Sequence, residues 1–167
     1  MKLSRFTDLS LRVLLILAYL KGKRLATVAE IAEKLKESSP LVIKAVHRLN
    51  HEGWIDTIRG RAGGIRLSKE ANEYRLGDII HQLEGGEALV DCEAPLCAFM
   101  TNSHIGEYLE DAHKAFYESL NRHTLEEMAN SPEMVKVFKD LQIELDPPKR
   151  VWRRSLLCRT PEEIKKA

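Results

Sequence analysis

Two cysteines are the residues of this sequence whose type and spacing best suit chemistry. Cys92 and Cys97 have four residues between them, and Asp91, Glu93 and Pro95 make their surroundings polar. Such surroundings fit poorly with the common role of a free cysteine as a small buried apolar residue. A thiol pair in a loop could instead form an intramolecular disulfide and act as a thiol switch.

A metal ion is a second possibility for the same loop. Together with His104, the two cysteines could supply three ligands to zinc, although their spacing is not that of a structural zinc finger. The third cysteine, Cys158, lies far along the chain, has no partner that the sequence identifies, and is predicted to be a bystander. From the residues alone, both kinds of loop chemistry stay open.

The sequence contains no pattern typical of an active site. It has no nucleophile elbow, phosphate-binding loop or pair of catalytic carboxylates. The glycine-rich segment 60–64 lies in a predicted hairpin, not between a strand and a helix N-terminus where glycines would cradle phosphate. We therefore predict that the protein is not an enzyme.

Among the elements that must position this loop is a helix-turn-helix, whose first helix is predicted to start at residue 27. Thr27 is a suitable N-cap, and Glu30 three residues later would complete a capping box. The apolar residues of this first helix recur at helical spacing: Val28, Ile31, Ala32 and Leu35. Further helices predicted over residues 9–20 and 76–84 would complete a core with it.

A second helix is predicted to be a recognition helix. It starts at Ser38-Ser39-Pro40, with a serine as N-cap and proline in the first turn, and it ends in a left-handed cap at Glu52-Gly53. The residues predicted to face inward are Val42, Ile43, Val46 and Leu49. Those predicted to face solvent or a partner are Ser38, Ser39, Leu41, Lys44, Ala45, His47 and Arg48. A second helix that presents its N-terminal residues outward enters the major groove in helix-turn-helix proteins.

A hairpin after this helix completes a winged helix-turn-helix pattern. Residues 54–58 are a candidate strand, residues 64–67 a candidate return strand, and the glycines between them mark the tip. Arg59, Arg61 and Arg66 accompany the hairpin. We predict that these arginines contact phosphates or enter a minor groove beside the recognition helix.

The distribution of charge agrees with a nucleic-acid interface in this region. The net charge is only +1, but residues 1–37 carry +4 and residues 38–69 carry a further +4. Residues 70–146 carry −12, and the tail from residue 147 carries +5. Attraction for phosphate is therefore concentrated around the predicted helix-turn-helix and wing. An adaptor that uses a winged helix to bind protein instead of DNA remains an alternative, because a fold alone does not fix a function.

A long helix after the cysteine loop is predicted to mediate dimerisation. Over residues 104–122 one apolar stripe recurs at helical spacing: Ile105, Leu109, Ala112, Phe116 and Leu120. A second copy of the helix is the simplest partner for such a stripe, and folding back on its own head is the alternative. The predicted domains are a winged helix-turn-helix domain (1–85), a sensor loop (86–103), a dimerisation helix with C-terminal helices (104–145) and a basic tail expected to be mobile (146–167).

Length and composition fit this organisation. A chain of 167 residues with 44% hydrophobic and 31% charged residues is ordinary for a globular protein. The longest apolar run, residues 13–20, is too short to span a bilayer and is not flanked by a signal peptide. We therefore expect a cytoplasmic protein without structural disulfides. The expected fold class is mainly α with a small β-hairpin wing, an α+β arrangement.

Several motifs in the same order resemble one family of regulators. They are residues 3–14, the helix-turn-helix, the Gly60-x-x-Gly63-Gly64-Ile65-Arg66-Leu67 wing, residues 76–79, and a cysteine loop ahead of a long helix. Over roughly residues 1–130 the chain resembles the winged helix-turn-helix transcriptional regulators typified by NsrR and IscR. Phe6-Thr7-Asp8, Val90-Asp91-Cys92 and Thr124-Leu125 are most similar to the nitric-oxide-sensing NsrR branch of that family.

The resemblance implies a homodimeric repressor of promoter DNA that carries an iron-sulfur cluster, either 4Fe-4S or 2Fe-2S. In such regulators three loop cysteines hold the cluster, a further ligand comes from the N-terminal helix of the partner, and nitric oxide or oxidants release the DNA. By resemblance, Cys92 and Cys97 are the first two thiolates and Asp8 is the oxygen ligand to the partner's cluster. No membrane partner and no small-molecule substrate other than the nitric oxide or oxidant signal are expected.

The chain departs from this family pattern at the third cysteine. The family spacing places that ligand at Ser103, which is followed by His104. A serine oxygen is a poor substitute for a soft thiolate, because its proton is held far more tightly. Three explanations are open: an introduced Cys→Ser change, a smaller 2Fe-2S cluster that uses His104 or another nitrogen or oxygen ligand, or a chain that has lost the cluster altogether.

The expected DNA contacts complete the set of candidate site residues. They are Thr27, Ser38, Ser39, Pro40, Lys44, His47, Arg48, Arg59, Arg61 and Arg66. Most of them belong to the start of the recognition helix or to the wing. The sequence therefore predicts one continuous interface across these two elements.

Overall fold

A computed structural model describes residues 2–60, 63–85 and 104–145. The described residues form helices α1 (Arg5–Leu20), α2 (Val28–Leu35) and α3 (Ser39–His51), strands β1 (Ile55–Ile58) and β2 (Gly64–Leu67), a 3-10 turn (Ala71–Glu73), and helices α4 (Leu76–Leu83), α5 (Ile105–Leu120), α6 (Leu125–Asn130) and α7 (Pro132–Asp140). The predicted fold class, mainly helical with a small hairpin wing, is confirmed. Within the described ranges, no helix is both long and apolar enough to cross a membrane.

Helix α1 supplies much of the core, including the buried residues Leu9, Val13 and Leu14. It begins at Arg5, earlier than the predicted start at residue 9. The reason is a cap that the sequence interpretation missed: the Thr7 amide donates a hydrogen bond of 3.1 Å to the Ser4 hydroxyl. The helix therefore carries Asp8 in its first turn.

Helix α2 has the predicted N-cap but only half of the predicted capping box. The Glu30 amide donates to the Thr27 hydroxyl over 3.1 Å. The Glu30 carboxylate, however, does not return to the cap, because it forms a bidentate pair with Arg24 at 2.9 and 2.5 Å. A charged partner outcompetes a neutral amide for a carboxylate.

Helix α3 begins and ends where the sequence predicts, but one edge of its buried face differs. Ser38 is the N-cap without a side-chain cap bond, and Gly53 after the helix has the left-handed φ of 72°. Ala45, predicted to face outward, is fully buried, whereas Ile43, predicted to face inward, is 45% exposed. These two predictions are wrong because the core side of the helix is centred on Val42, Val46 and Leu49, and Ala45 falls nearer that centre than Ile43.

The predicted hairpin is confirmed as an antiparallel pair. Strands β1 and β2 pair Ile55 with Leu67 and Asp56 with Arg66. Ala26, just before α2, adds a short bridge to Ile65 through hydrogen bonds of 2.7 and 3.1 Å. The wing is thereby joined to the start of the helix-turn-helix as well as to the end of α3.

Helix α5 docks on α4 at a position where only glycine fits. A Cβ atom on Gly77 would lie 2.3 Å from the Tyr117 carbonyl oxygen and 2.5 Å from Asn121 Oδ1. Asn121 also accepts a hydrogen bond from the Asp78 amide over 2.9 Å and donates one to the Asp78 carboxylate over 2.7 Å. The C-terminal end of α5 is therefore held tightly on α4.

The C-terminal helices pack on the same core as the head. Helix α6 is capped by a capping box in which Thr124 and Glu127 exchange two hydrogen bonds of 3.1 Å. Phe138 of α7 is buried, with its ring centroid 4.4 Å from that of Tyr19 in α1. One cluster of buried apolar residues thus includes both the helix-turn-helix and these last helices.

Candidate nucleic-acid interface

The start of helix α3 presents the predicted recognition residues to solvent. Ser38, Ser39, Pro40, Lys44 and His47 are all exposed. They are exposed because the opposite side of the helix is buried against α1 and α2. The structure thus brings together, on one outward face, the recognition-helix residues that the sequence nominates.

Lys44 is positioned by an aromatic ring from another helix. Its ammonium nitrogen lies 5.6 Å from the centroid of the Phe6 ring, in the first turn of α1. A cation at this distance from an aromatic face is weakly attracted to it, which restricts the side chain without neutralising it. Arg5, next to Phe6, donates to Glu37 in the turn of the helix-turn-helix over 3.1 Å. The first turn of α1 therefore contacts both the turn and the recognition helix.

Arg48 has partners within the chain. Its guanidinium pairs with Glu52 at 2.6 Å and donates to the Gln82 carbonyl of α4 over 3.2 Å. The side-chain amide of Gln82 in turn donates a hydrogen bond to the Glu52 carboxylate. A contact between Arg48 and DNA stays a prediction, and these bonds compete with it.

Both described arginines of the wing, Arg59 and Arg66, are exposed, and Arg66 is also paired with a carboxylate. Arg59 is exposed at the end of β1. Arg66 lies opposite Asp56 in the hairpin register, and its Nε is 3.3 Å from the Asp56 carboxylate. Arg61 lies outside the described residues. The positive charge of the wing is thus partly offset by Asp56.

Tyr74 anchors the base of the wing, a role that the sequence interpretation missed. Its hydroxyl donates to the Trp54 carbonyl over 2.8 Å, accepts from the Lys69 amide over 3.0 Å, and lies 3.1 Å from the Ser68 hydroxyl. Ser68 donates to the Gly53 carbonyl over 2.5 Å. The two ends of the hairpin are therefore fastened to each other at the end of α3.

The predicted contact Thr27 lies beside a buried ion pair. Thr27 is exposed, whereas the side chain of Arg24 is only 6% exposed in its pair with Glu30. Burial favours the neutral form of Glu30, but the hydrogen bonds and charge of Arg24 outweigh it and hold the pKa of this carboxyl below its ordinary value. Arg24 also donates to the Glu144 carbonyl over 2.7 Å, which joins α2 to the segment after α7.

Of the candidate ligands for a cluster, only Asp8 and His104 lie in the described residues. Asp8 is 51% exposed in the first turn of α1 and pairs with Arg12 at 2.7 Å. His104 is the exposed N-cap of α5, with its Nδ1 3.0 Å from the Glu107 carboxylate. Cys92, Cys97 and Ser103 lie outside the described residues, as do Cys158 and the basic tail. In the ranges that the structure covers, no three His, Cys, Asp or Glu side chains converge as a metal site would require.

The apolar stripe of α5 lies mainly on the surface of the single chain. Ile105, Leu109 and Phe116 are 53%, 37% and 38% exposed. The helix contacts α4 through a different side, where the Tyr117 ring lies edge-on to His81 and His113 at centroid distances of 4.7 and 4.8 Å. Folding back on the head therefore covers a neighbouring side of α5 and leaves most of the stripe exposed.

A helix-turn-helix with an outward recognition helix, followed by an anchored hairpin, defines the winged helix class of DNA-binding regulators. Within that class the chain belongs to the Rrf2 family, because the family model described as "Iron-dependent Transcriptional regulator" matches residues 3–131. The family is one of transcriptional regulators that bind DNA, not of enzymes.

Individual relatives agree with this family. The chain is 32% identical over 143 residues to the HTH-type transcriptional regulator NsrR of Bacillus subtilis, which covers 83% of this chain and 98% of that protein. The structure of T. potens IscR matches with a TM-score of 0.63 and 25% identity, covering 80% of this chain and 90% of that one. The oxidized form of Staphylococcus aureus CymR matches with a TM-score of 0.61 and 28% identity, covering 78% and 97%.

Proposed function

We propose that the protein is a homodimeric, sequence-specific transcriptional repressor that reads DNA with the first half of α3 and the wing. The observation that carries this proposal is the outward face of α3, where Lys44 is exposed beside Ser38, Ser39 and Pro40 while the core holds the opposite face. Arg59 extends the positive surface to the wing. Serine hydroxyls and cations are the groups that fix a protein on the phosphate backbone and read base edges.

A second copy of the chain is the partner that we assign to the stripe of α5. Three large apolar side chains at helical spacing are more than the scattered surface residues of an ordinary monomer. A two-fold axis would place identical stripes against each other and set two reading heads for two half-sites. We therefore propose that α5 is the dimer helix and that residues 104–145 act as the dimerisation part of the molecule.

The salt dependence of binding tests the DNA-reading proposal. A fluorescent promoter duplex would be titrated with the protein at several salt concentrations, because each neutralised phosphate steepens the fall of affinity with salt. Lys44→Gln should weaken binding and flatten the salt slope by about one phosphate per subunit. Lys136→Gln, an exposed lysine of α7, is the matched control and should leave both unchanged. A wild-type affinity that does not depend on salt would contradict the proposal.

We further propose that the regulator senses nitric oxide or redox state through an iron-sulfur cluster held by Cys92, Cys97 and the partner's Asp8. The relative NsrR and the neighbour IscR favour this function. The donor set fits it in part: Asp8 is accessible at the surface, whereas Ser103 stands where a third thiolate is expected. A bound cluster would supply a centre that reacts with nitric oxide or oxidants.

The contacts of α1 suggest how an event at Asp8 could reach the recognition helix. A new partner at Asp8 would compete with Arg12, since Oδ2 of the carboxylate now pairs with that guanidinium. The same turn of α1 carries Phe6 under Lys44. A shift of this turn would therefore move the support of a DNA-facing lysine.

A cluster-free thiol switch is the second candidate. The sequence pair Cys92 and Cys97 favours it, together with the similarity to the oxidized form of CymR. In this function, oxidation forms a disulfide between the two sulfurs and passes two electrons and two protons to the oxidant.

Anaerobic purification followed by iron and sulfide analysis separates these candidates. The wild-type chain and Ser103→Cys would be compared, with Ser131→Cys as a control for an added thiol elsewhere. A cluster only in Ser103→Cys would support a lost third ligand, and a cluster in both would show that the native residues suffice. If neither binds iron, a mass loss of two hydrogen atoms after treatment with diamide, which takes up both hydrogens, would support the thiol switch.

A further inference from the structure

The recognition helix carries an apolar side chain on the face that we assign to DNA. Ile43 is 45% exposed, and it lies three residues after Pro40 and four before His47, both of which are also exposed. Residues at these spacings share one side of a helix. The remaining members of the face are polar or charged, apart from Pro40. The side chain of this isoleucine is therefore available for contact with a ligand on the reading face.

The edges of base pairs in the major groove display one strongly apolar group, which is the C5 methyl of thymine. Apolar side chains recognise thymine by contact with that methyl, whereas cytosine has a hydrogen there. Ile43 is the fifth residue of α3 and so belongs to the N-terminal half of the helix, which approaches base edges in helix-turn-helix proteins. We infer that Ile43 contacts the methyl group of one thymine in each half-site, an inference that rests on the proposed DNA-reading function.

The two cations nearest to Ile43 on α3 are directed away from its side of the helix. Lys44 is drawn toward the Phe6 ring, and Arg48 toward Glu52 and α4, so both cations lean to the α1 and α4 side of the helix. Ile43 lies on the other flank of the exposed face. With 45% of its surface exposed, it is covered by the described residues far less than a core residue is. Its β-branched side chain has one strongly preferred rotamer in a helix, so the contact loses little freedom on binding.

The size of the effect follows from the transfer of one methyl group out of water. Burial of one such group contributes about 0.8 kcal/mol, which is about a fourfold change in affinity per half-site. Two symmetric half-sites would give about a fifteenfold change. Loss of the thymine methyl and loss of the Ile43 side chain should not add, because they remove the two sides of the same contact.

The test uses synthetic duplexes with a randomised central segment, prepared once with thymine and once with uracil, which lacks only the methyl group. Wild type, Ile43→Ala and Val137→Ala would each be used to select duplexes, and the bound sequences would be determined. Val137 of α7 is the matched control, because it is 43% exposed and lies outside the reading face. The site selected by wild type would then be made with single thymine-to-uracil changes.

We expect wild type and Val137→Ala to select a thymine at one symmetric position and to lose about fourfold in affinity per half-site when it becomes uracil. Ile43→Ala should select the rest of the site, show no preference there, and bind the uracil and thymine forms equally. An Ile43→Ala protein that keeps the preference and the uracil effect would overturn the inference. If wild type enriches no sequence from either pool, the proposed function itself fails, which is a distinct result. Thermal unfolding of each variant confirms that the exposed substitution leaves the fold intact.

Discussion

The reading head and helix α5 differ in what a single chain leaves exposed. In the head, the core sides of α2 and α3 are buried, and the reading face that remains is mostly polar, is positive at Lys44 and Arg59, and has Ile43 as its exposed large apolar side chain. In α5, Ile105, Leu109 and Phe116 remain exposed. The head is therefore complete within one chain, whereas α5 has an apolar surface that a partner would cover.

This difference separates two kinds of interaction in one small protein. The head offers charges to a ligand whose attraction depends on salt, and its shape is fixed by internal bonds such as those of Tyr74. Helix α5 offers apolar area, whose burial depends little on salt. Substitutions in the two regions should consequently change different measured quantities.

The largest effect is expected at the ion pair that holds the head to the C-terminal segment. Arg24→Ala removes the partner of the Glu30 carboxylate and the hydrogen bond to the Glu144 carbonyl. Since loss of one partner leaves a largely buried charge uncompensated, the free energy of unfolding should fall by about 3 kcal/mol. Urea denaturation at neutral pH measures it. Lys23→Ala, an exposed neighbour, should change it by less than about 0.5 kcal/mol, and equal stability of the two variants would contradict the role of Arg24.

The next effect concerns association. Phe116→Asp places a charge in the exposed stripe of α5 and should raise the dimer dissociation constant about a hundredfold, since a lone charge is costly to bury. Sedimentation velocity over a range of concentrations measures this change, and far-ultraviolet circular dichroism should stay the same because the side chain is not in the core. Lys114→Glu, on the opposite side of α5, should remain dimeric. A dimeric Phe116→Asp protein would remove the contrast between head and helix.

The third effect is the pH dependence of the Arg24–Glu30 pair. The folded-state pKa of Glu30 is lowered, so the pair contributes fully above pH 4.5 and its contribution is lost as pH falls through the lowered pKa. Glu30→Gln should therefore be less stable than wild type by about 2 kcal/mol at pH 7 and approach it in stability as the pH falls below the lowered pKa of Glu30. Thermal melts across this range give the comparison, with Glu33→Gln as the exposed control on α2. A gap that stays constant with pH would exclude the charge as its cause.

The smallest effect belongs to the wing. Asp56→Asn frees Arg66 from its cross-strand partner and should raise the affinity for duplex DNA about threefold at low salt, with the gain shrinking as salt rises. Fluorescence anisotropy resolves such a change. Asp140→Asn on α7 makes the same change in net charge and should have no effect. The gain should disappear in the double variant with Arg66→Ala, and its persistence there would show that Asp56 does not act through Arg66.

Local signals were sufficient to predict the helix-turn-helix and the wing. Thr27, Pro40 and Gly53 act within one or two turns of the residues they affect, so their consequences can be recognised in the order of residues alone. Periodicity located the buried face of α3 but not its edges. For that reason the prediction placed Ile43 inside and Ala45 outside, the reverse of what the structure shows. An edge residue is buried or exposed according to which neighbouring helix reaches it, and the sequence of one helix does not contain that information.

The partners of the polar residues could not be predicted, because they come from distant parts of the chain. Tyr74 meets Trp54 twenty residues away, and Arg24 meets Glu144 one hundred and twenty residues away. For the same reason the sequence predicted DNA contacts for Arg48 and Arg66 but not their partners within the chain. Those partners, which would compete with DNA for the two guanidinium groups, are Glu52, Gln82 and Asp56. Their contacts with DNA, like those of the other candidate residues, remain predictions.

The close approach at Gly77 gives α5 the mechanics of a rod clamped near one end. The close contact lies at Tyr117 and Asn121, and Ile105 at the other end of the helix is about 18 Å away along the axis. A tilt of only about 5° around the clamp would displace that end by about 1.6 Å, which is comparable with the helix shifts that accompany switching in other proteins. Residue 104 directly follows the segment that carries Cys92 and Cys97. A force applied at that end of α5 would act about 18 Å from the contact at Gly77, and would therefore tilt the helix more effectively than the same force applied nearer to Tyr117.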